Sequence, residues 1–322
     1  SANPSSSAKA LWTYIEPALF HILRSPSNNP SKPPVLDVAY HVGIHTAVYN
    51  YFTAPDSNQP SSPLPPLSEL AFDGGNGDEF RDVVREGLYS QLDDYFAEVA
   101  REILLGAAQD ESTLIQYLVP AFTRFSSGAR SVDRLLSYVN RHYVKRVASE
   151  DKGWLAISDL IDQEELSTIR LVEARAKLSI RLRDRRAEEL KKWGYDPNVD
   201  PPERRTEAEA SAEAASGLDR VVPLISLAHR RFRVEVLEPL LAVPKAKGKG
   251  KKKGKTKAPP AAQSNGGAEK PSGPKGRLAR AVKELLESKE GDEQERRTLA
   301  EGVARMLAVT GVRPEHPLRR RL

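Results

Sequence analysis

Apolar residues recur at three- and four-residue spacing in five runs within the first 150 residues, and this period restricts the fold more than any other feature of the sequence. The longest run extends from Glu79 to Leu105 and keeps the helical period over about seven turns. No segment alternates apolar and polar residues long enough to predict a β-strand. The sequence therefore predicts an all-α fold with five helices in this first part of the chain.

The remainder of the chain is predicted to hold a charged helix, a partly disordered stretch, a further ordered stretch and two short helices. In order, these are Glu164 to Trp193, Asp196 to Ser216, Leu218 to Leu241, Leu278 to Leu286 and Glu293 to Thr310. Five helices, a break and a second helical set are typical of an α-solenoid.

The predicted division of the chain follows from these segments. A first helical repeat occupies 1–150, and a charged insertion, partly helical and partly disordered, occupies 151–217. A partial second repeat occupies 218–322 and is interrupted by a linker rich in lysine and glycine at 244–276.

The positive charge of the chain is concentrated in this linker. The formal net charge is +5, yet residues 245–257 hold eight lysines and no acidic residue. Without those eight of the 49 basic residues, 41 basic residues face 44 acidic ones, so the rest of the chain carries −3. The basic character therefore belongs to the linker and not to the folded part.

Three interpretations of the lysine run stay open. It could neutralise nucleic-acid phosphates, serve as a nuclear-import signal, or be a solvated linker. No aromatic residue interrupts 245–257, so base stacking is not available. The glycines, prolines and alanines of the linker 244–276 favour the interpretation as a solvated linker.

Several classes of function lack their chemical groups in this sequence. The chain has no cysteine, which excludes disulfides, thiolate zinc sites and a catalytic thiol. Gly74-Gly75-Asn76-Gly77 lacks the preceding strand and following Gly-Lys-Ser/Thr of a phosphate loop. No apolar run reaches the roughly 20 residues of a membrane span. We expect a non-catalytic protein without a cofactor or metal.

Two aromatic segments, Thr46 to Phe52 and Tyr138 to Arg146, carry the functional signal. On a helix through the first segment, one stripe can face the core while a second stripe remains. The second stripe consists of His41, Val42, His45 and Tyr49. Exposed aromatic and apolar groups that folding does not require are typical of a partner site.

In the second segment, Val139 and Val144 are core candidates, which would leave Asn140, Arg141 and Tyr143 pointing outward. Two alternatives stay open: the tyrosines could fill the core, or His41 and His45 could bind a metal. No carboxylate of a His-Glu-x-x-His motif accompanies the histidines, which makes the metal reading the weaker one.

The order of these motifs resembles the cullin family, the scaffolds of multi-subunit ubiquitin ligases. The resemblance is carried by Val48-Tyr49-Asn50-Tyr51, by Tyr138 to Arg146 with Asn140-Arg141-His142 as its most specific part, and by Ala228 to Arg233. It covers most of the chain, with insertions at 161–219 and 245–276. It is greatest for cullins that bind the small adaptor carrying F-box proteins, and it implies five-helix cullin repeats.

The resemblance implies a scaffold arm that binds an F-box-carrying adaptor, or a BTB-type adaptor, and through it an F-box substrate receptor. The implied adaptor-binding residues are His41, Val42, His45, Tyr49, Asn140, Arg141 and Tyr143. Such cullins usually carry a tyrosine-methionine pair where this chain has His41-Val42, and an aromatic residue is common at His45. The family's C-terminal half, which recruits the RING protein, is missing from this sequence. The expected location is the cytoplasm and nucleus.

Overall fold

The computed structural model describes residues 3–27, 29–53, 76–156, 172–197, 199–242, 276–288 and 292–322. In 76–86, 150–151 and 172–179 it describes the backbone alone. These described parts contain ten helices and no strand, which confirms the predicted all-α fold.

The first part of the chain contains five helices, the number that the sequence predicts, although the fourth extends through Leu135 and so includes Val132 and Leu135, which were predicted to belong to the fifth. A short 3₁₀ turn at Pro4–Ser6 precedes the five helices, and the fifth helix changes between α and π geometry along its length. They are α1 (Ala8–Arg24), α2 (Val38–Thr53), α3 (Asn76–Leu105), α4 (Glu111–Leu135) and α5 (137–152, with π-helical turns at Asn140–Val144 and Ala148–Lys152).

Five further helices follow in the described residues. One of these helices also contains a π-helical turn. They are α6 (Val172–Lys192), α7 (Pro202–Ala215), α8 (224–241, with its π turn at Arg233–Leu237), α9 (Arg277–Glu287) and α10 (Glu293–Val309).

One continuous hydrophobic core joins the early and late helices. Phe232 of α8 packs against α4, with ring centroids 4.9 Å from Phe122 and 5.4 Å from Phe125. Phe125 in turn contacts Phe96 of α3 at 6.3 Å. Because this core crosses from the first predicted repeat into the second, the two parts support each other. Their division into cullin-type repeats stays a prediction.

Most of the stretch 196–216 is helical, whereas the sequence predicted partial disorder. Residues Pro202–Ala215 form helix α7, which begins at a proline, a residue favoured in the first helical turn. Ala208, Ala212 and Ala214 are buried, and α7 packs on α8. Small side chains let the two backbones approach closely, so an alanine-rich composition that suggested disorder produces a packed helix. Residues 157–171 of the same predicted insertion lie outside the described residues.

The loop before α8 is held by two buried side chains. Arg230 is fully buried, and its Nη1 donates to the carbonyl oxygens of Gly217 and Arg220, each at 2.7 Å. The Tyr89 hydroxyl donates to Val222 O at 2.9 Å and accepts from Val222 N at 3.0 Å. Burial raises the pKa of Tyr89 to about 12, so its hydroxyl keeps its proton at neutral pH. Together these bonds attach the loop to α3 and α8.

The two ends of the lysine-rich linker meet in the structure. Helix α8 ends at Leu241, and Gly276 is the N-cap of α9. A Cβ atom added to Gly276 would lie 2.5 Å from the carbonyl oxygen of Leu241, so only glycine permits this approach. The linker residues 243–275 lie outside the described residues, and the nucleic-acid and nuclear-import interpretations of the lysine run stay predictions.

Within the described ranges, no helix combines the length and apolar character that crossing a membrane requires.

Glu213 of α7 places a carboxyl group in the interface with α8. Its Oε2 accepts a hydrogen bond of 2.6 Å from Ser226, which is fully buried. Burial is the main cause that raises the pKa of Glu213 to about 7 from a usual value of 4.5, with the charge of Glu209 adding to the rise. The carboxyl group is therefore largely protonated below neutral pH.

We expect this group to make stability fall as pH rises. Between pH 4.5 and about 7 the unfolded chain loses the Glu213 proton while the folded chain keeps it, so unfolding is favoured by rising pH. Glu213→Gln should remove this pH dependence. From pH 5 to pH 8, the free energy of unfolding of the variant should rise by about 2–3 kcal/mol relative to that of wild type, as measured by urea unfolding. Glu207→Gln, at an exposed position of the same helix, serves as the control. If the free energy of unfolding of both variants differs from that of wild type by an amount that is constant with pH, the expectation is contradicted.

Candidate functional site

Three aromatic rings from α2 and α5 surround Tyr138, and a fourth ring extends the cluster. The Tyr138 ring centroid lies 4.7 Å from that of His45, 5.1 Å from that of Tyr49 and 5.7 Å from that of His142. Phe52 stacks on His142 at 6.2 Å with an interplanar angle of 16°. The two aromatic segments singled out in the sequence therefore form a single cluster across two helices.

Much of this cluster reaches solvent. Val42 is 57% exposed and Tyr49 is 44% exposed. His41 and Arg141 are exposed as well, and the Arg141 guanidinium lies 5.8 Å from the centroid of the Tyr138 ring. The rings of His45, Tyr138 and His142 are half-buried. We call this set the α2–α5 surface: His41, Val42, His45, Tyr49, Tyr138, Arg141 and His142.

The inward stripe of α2 explains why this face remains free. Ile44 and Val48 are fully buried in the core, and Ala47 and Phe52 are nearly so. Since these residues already anchor α2, folding does not need Val42 or Tyr49. A contiguous patch of this composition, with a cation at its rim, is typical of protein-binding surfaces.

Tyr143 does not point outward, so that expectation is wrong. It is 4% exposed, and its ring lies 5.2 Å from that of Tyr89 in the core. The physical reason is its position four residues after the buried Val139, a spacing that places both side chains on one face of a helix. The π-helical turn Asn140–Val144, in which Lys145 N bonds to Asn140 O, contains an extra residue and brings Val144 to the core as well.

Asn140 is also placed differently from its prediction as an outward contact. Its Nδ2 donates to Asp133 Oδ1 at 2.7 Å, and its Oδ1 accepts from Leu224 N at 3.0 Å. The second bond satisfies a backbone N–H at the start of α8, which has no partner within its own helix. Asn140 therefore joins α4, α5 and α8, and its amide is used within the fold.

Tyr138 and His142, rather than Asn140 and Tyr143, belong to the surface that α5 contributes. Both residues were part of the second aromatic segment, yet neither was predicted to be exposed. A signal was available, because Tyr138, Arg141 and His142 stand at i, i+3 and i+4, the spacing of one helix face. His41, Val42, His45, Tyr49 and Arg141 lie on the surface as expected, and their role in binding a partner stays a prediction.

His41 and His45 stand one helical turn apart on α2, as their spacing indicates. Within the described part of the chain, no three histidine, aspartate or glutamate side chains gather in an arrangement that could hold a metal ion. The half-buried His45 ring instead packs on Tyr138.

Comparison with known proteins gives one distant relative. The chain is 26% identical over 153 residues to Cell division control protein 53 of Saccharomyces cerevisiae, a cullin. The match covers 46% of this chain and 17% of the length of that protein. No family model matches the chain, and no solved structure matches it. The comparison therefore indicates a distant, cullin-like relationship over part of the chain.

Proposed function

We propose that this chain is the N-terminal scaffold arm of a cullin-type ubiquitin ligase, and that its α2–α5 surface docks a substrate-receptor adaptor. The observation that carries the proposal is the exposed aromatic surface built by α2 and α5 together. Val42 and Tyr49 are exposed there although α2 is anchored by other residues. Aromatic side chains and arginine are the residues that most often dominate binding energy at protein interfaces.

Two further observations support a cullin-type assignment. The motifs of the two aromatic segments resemble that family, and the relative of 26% identity is a member of it. The shared core of α3, α4 and α8 makes the chain a continuous helical body, as a scaffold requires. The adaptor that we propose carries F-box proteins, with a BTB-type adaptor as the alternative, and the proposed location is the cytoplasm and nucleus.

In this role the chain catalyses nothing. A rigid helical body would hold a bound receptor and its substrate at a fixed distance from the ubiquitin-charged enzyme. Holding two reactants together raises their effective concentration, which accelerates transfer without any catalytic side chain on the scaffold.

Truncation of the central rings should weaken adaptor binding. We expect Tyr49→Ala and Tyr138→Ala each to cost about 1–4 kcal/mol of binding free energy, because each removes an aromatic contact from the centre of the surface. Isothermal titration calorimetry with a purified F-box-carrying adaptor measures the change. Circular dichroism should show unchanged helicity, since Tyr49 is 44% exposed and Tyr138 half-buried.

Phe20→Ala is the matched control. Phe20 is 55% exposed on α1, beside Arg24, whose guanidinium also covers Tyr95 of α3. Its removal takes away a comparable exposed ring outside the α2–α5 surface and should leave adaptor affinity unchanged. Equal affinities of wild type and both tyrosine variants would exclude the proposed surface.

A further inference from the structure

One face of α2 carries apolar and aromatic side chains that the core does not use. Val38, Val42 and Tyr49 are all exposed, and His45 between them is half-buried. These four residues stand at i, i+4, i+7 and i+11, so they lie on one face of the helix. Val38 thus continues the apolar part of the α2–α5 surface by one helical turn.

The charged residues around this stripe are mostly basic. Helix α2 itself contains no aspartate, glutamate, lysine or arginine. Residues 130–149, which form the end of α4 and most of α5, contain five basic residues and one acidic residue, a formal charge of +4. They are Arg130, Arg134, Arg141, Lys145 and Arg146, with Asp133 as the acidic one. This local excess contrasts with the −3 that the chain carries without the eight lysines of 245–257.

Arg141 brings one of these positive charges onto the α2–α5 surface. Its side chain is exposed, and its guanidinium lies 5.8 Å from the centroid of the Tyr138 ring. Among the side chains that the structure describes, no carboxylate pairs with Arg141. Arg24 and Arg231, by contrast, each pair with a carboxylate of α3. The guanidinium of Arg141 can therefore accept a carboxylate from a partner without breaking an ion pair of the fold.

The acidic residues that flank the surface do not cancel this charge. Asp37 Oδ1 accepts from a backbone N–H in the first turn of α2 at 3.1 Å. Asp133 Oδ1 accepts from the Asn140 amide at 2.7 Å. The side chains of 150–151, nine and ten residues beyond Arg141, lie outside the described residues. Both described carboxylates are therefore used within the fold, and neither pairs with Arg141.

We propose that the partner of the α2–α5 surface presents an apolar patch bordered by aspartate or glutamate, and that one of these carboxylates pairs with Arg141. This inference rests on the proposed docking function and specifies the adaptor by its charge. The apolar patch covers Val38, Val42 and Tyr49, while the planar guanidinium binds the carboxylate through two parallel hydrogen bonds. The other basic residues act at longer range, because a positive field attracts an acidic surface and raises the association rate.

The salt dependence of adaptor binding tests the charge of the partner. Isothermal titration calorimetry of the full chain with a purified F-box-carrying adaptor should give a dissociation constant about three- to tenfold higher at 500 mM than at 50 mM NaCl, because salt screens the attraction. This measurement uses wild type alone and does not depend on the folding of a variant. Equal affinities at the two concentrations would overturn the inference and leave the proposed function intact. Absence of binding at both would overturn the two together.

Charge reversal tests the contact with Arg141. Arg141→Glu should raise the dissociation constant at 50 mM NaCl at least about tenfold and reduce its salt dependence, because it places a negative charge opposite the carboxylate of the partner. Arg141→Lys keeps the positive charge and should bind at least about fivefold more tightly than Arg141→Glu. Circular dichroism should show the same helicity in both variants, since Arg141 is exposed.

Arg297→Glu is the matched control. It changes the net charge by the same amount on α10, where the Arg297 side chain is 74% exposed, and α10 packs on α4, α7 and α9. Its affinity for the adaptor should stay within about twofold of wild type, because salt screens charges at that distance. If Arg141→Glu binds the adaptor no more weakly than Arg297→Glu does, Arg141 does not contact a carboxylate and the inference is overturned.

Discussion

Replacing Gly311 by alanine is expected to lower the free energy of unfolding by about 3–5 kcal/mol. Gly311 follows α10 with φ of 82° and forms a Schellman cap, in which Gly311 N bonds to Ala308 O and Val312 N to Leu307 O. A Cβ atom there would also lie 2.7 Å from backbone atoms of Ala214 and Ala215. The side chain would thus add backbone strain and a collision with the end of α7, neither of which a rotamer change can relieve.

Gly194 separates these two effects. It has φ of 83°, almost the same as Gly311, but an added Cβ would meet nothing within 4 Å. Gly194→Ala should therefore cost only the backbone strain, about 1–2 kcal/mol. Urea unfolding followed by circular dichroism measures both variants. If the two substitutions cost the same, the close packing of α10 against α7 does not contribute to stability.

The second large effect is expected from Tyr89→Phe, which removes one oxygen atom and should cost about 2–4 kcal/mol. The Tyr89 hydroxyl forms both hydrogen bonds of the Val222 backbone, at 2.9 Å to the oxygen and 3.0 Å from the nitrogen. Val222 is fully buried, so water cannot replace the lost partner. Both a donor and an acceptor would be left unsatisfied in the core, and thermal and urea unfolding should both report the loss.

Tyr117→Phe offers a matched control because its hydroxyl forms one bond, to Ile103 O at 2.9 Å, in a partly buried position. Water can reach that carbonyl, so the expected loss is about 0.5–1 kcal/mol. A loss as small in Tyr89→Phe would mean that the loop before α8 is not held by its bonds to α3.

The helices of the first 150 residues could be predicted because their buried residues repeat at helical spacing. The core positions Ile44 and Val48 of α2, and Leu88 and Leu92 of α3, are fully buried as that period requires. Helix α7 could not be predicted in the same way. Its buried residues are alanines, which give little hydrophobic signal, and the burial follows from the close approach of α8.

The candidate site was predictable on α2 and only partly so on α5. Regular α-helical geometry allowed Val42, His45 and Tyr49 to be placed on one face. On α5, the spacing of four residues from Val139 indicates that Tyr143 faces the core, whereas a π-helical turn that begins at Asn140 brings Val144 there as well. Asn140 is moreover used by the start of α8, which lies 84 residues further along the chain. Neither a change of helical period nor a long-range backbone contact is visible in local spacing.

The contact between Leu241 and Gly276 has a consequence for how this protein can evolve. Because α8 and α9 are held against each other by the core, the segment between them closes a loop whose entropic cost rises only slowly with length, about 0.6 kcal/mol for each doubling. By this entropic cost alone, insertions, deletions and the gain of lysines between Leu241 and Gly276 change the stability of the helical body little. The net charge of the protein can then vary through the length and composition of one segment while the two helix ends stay in contact.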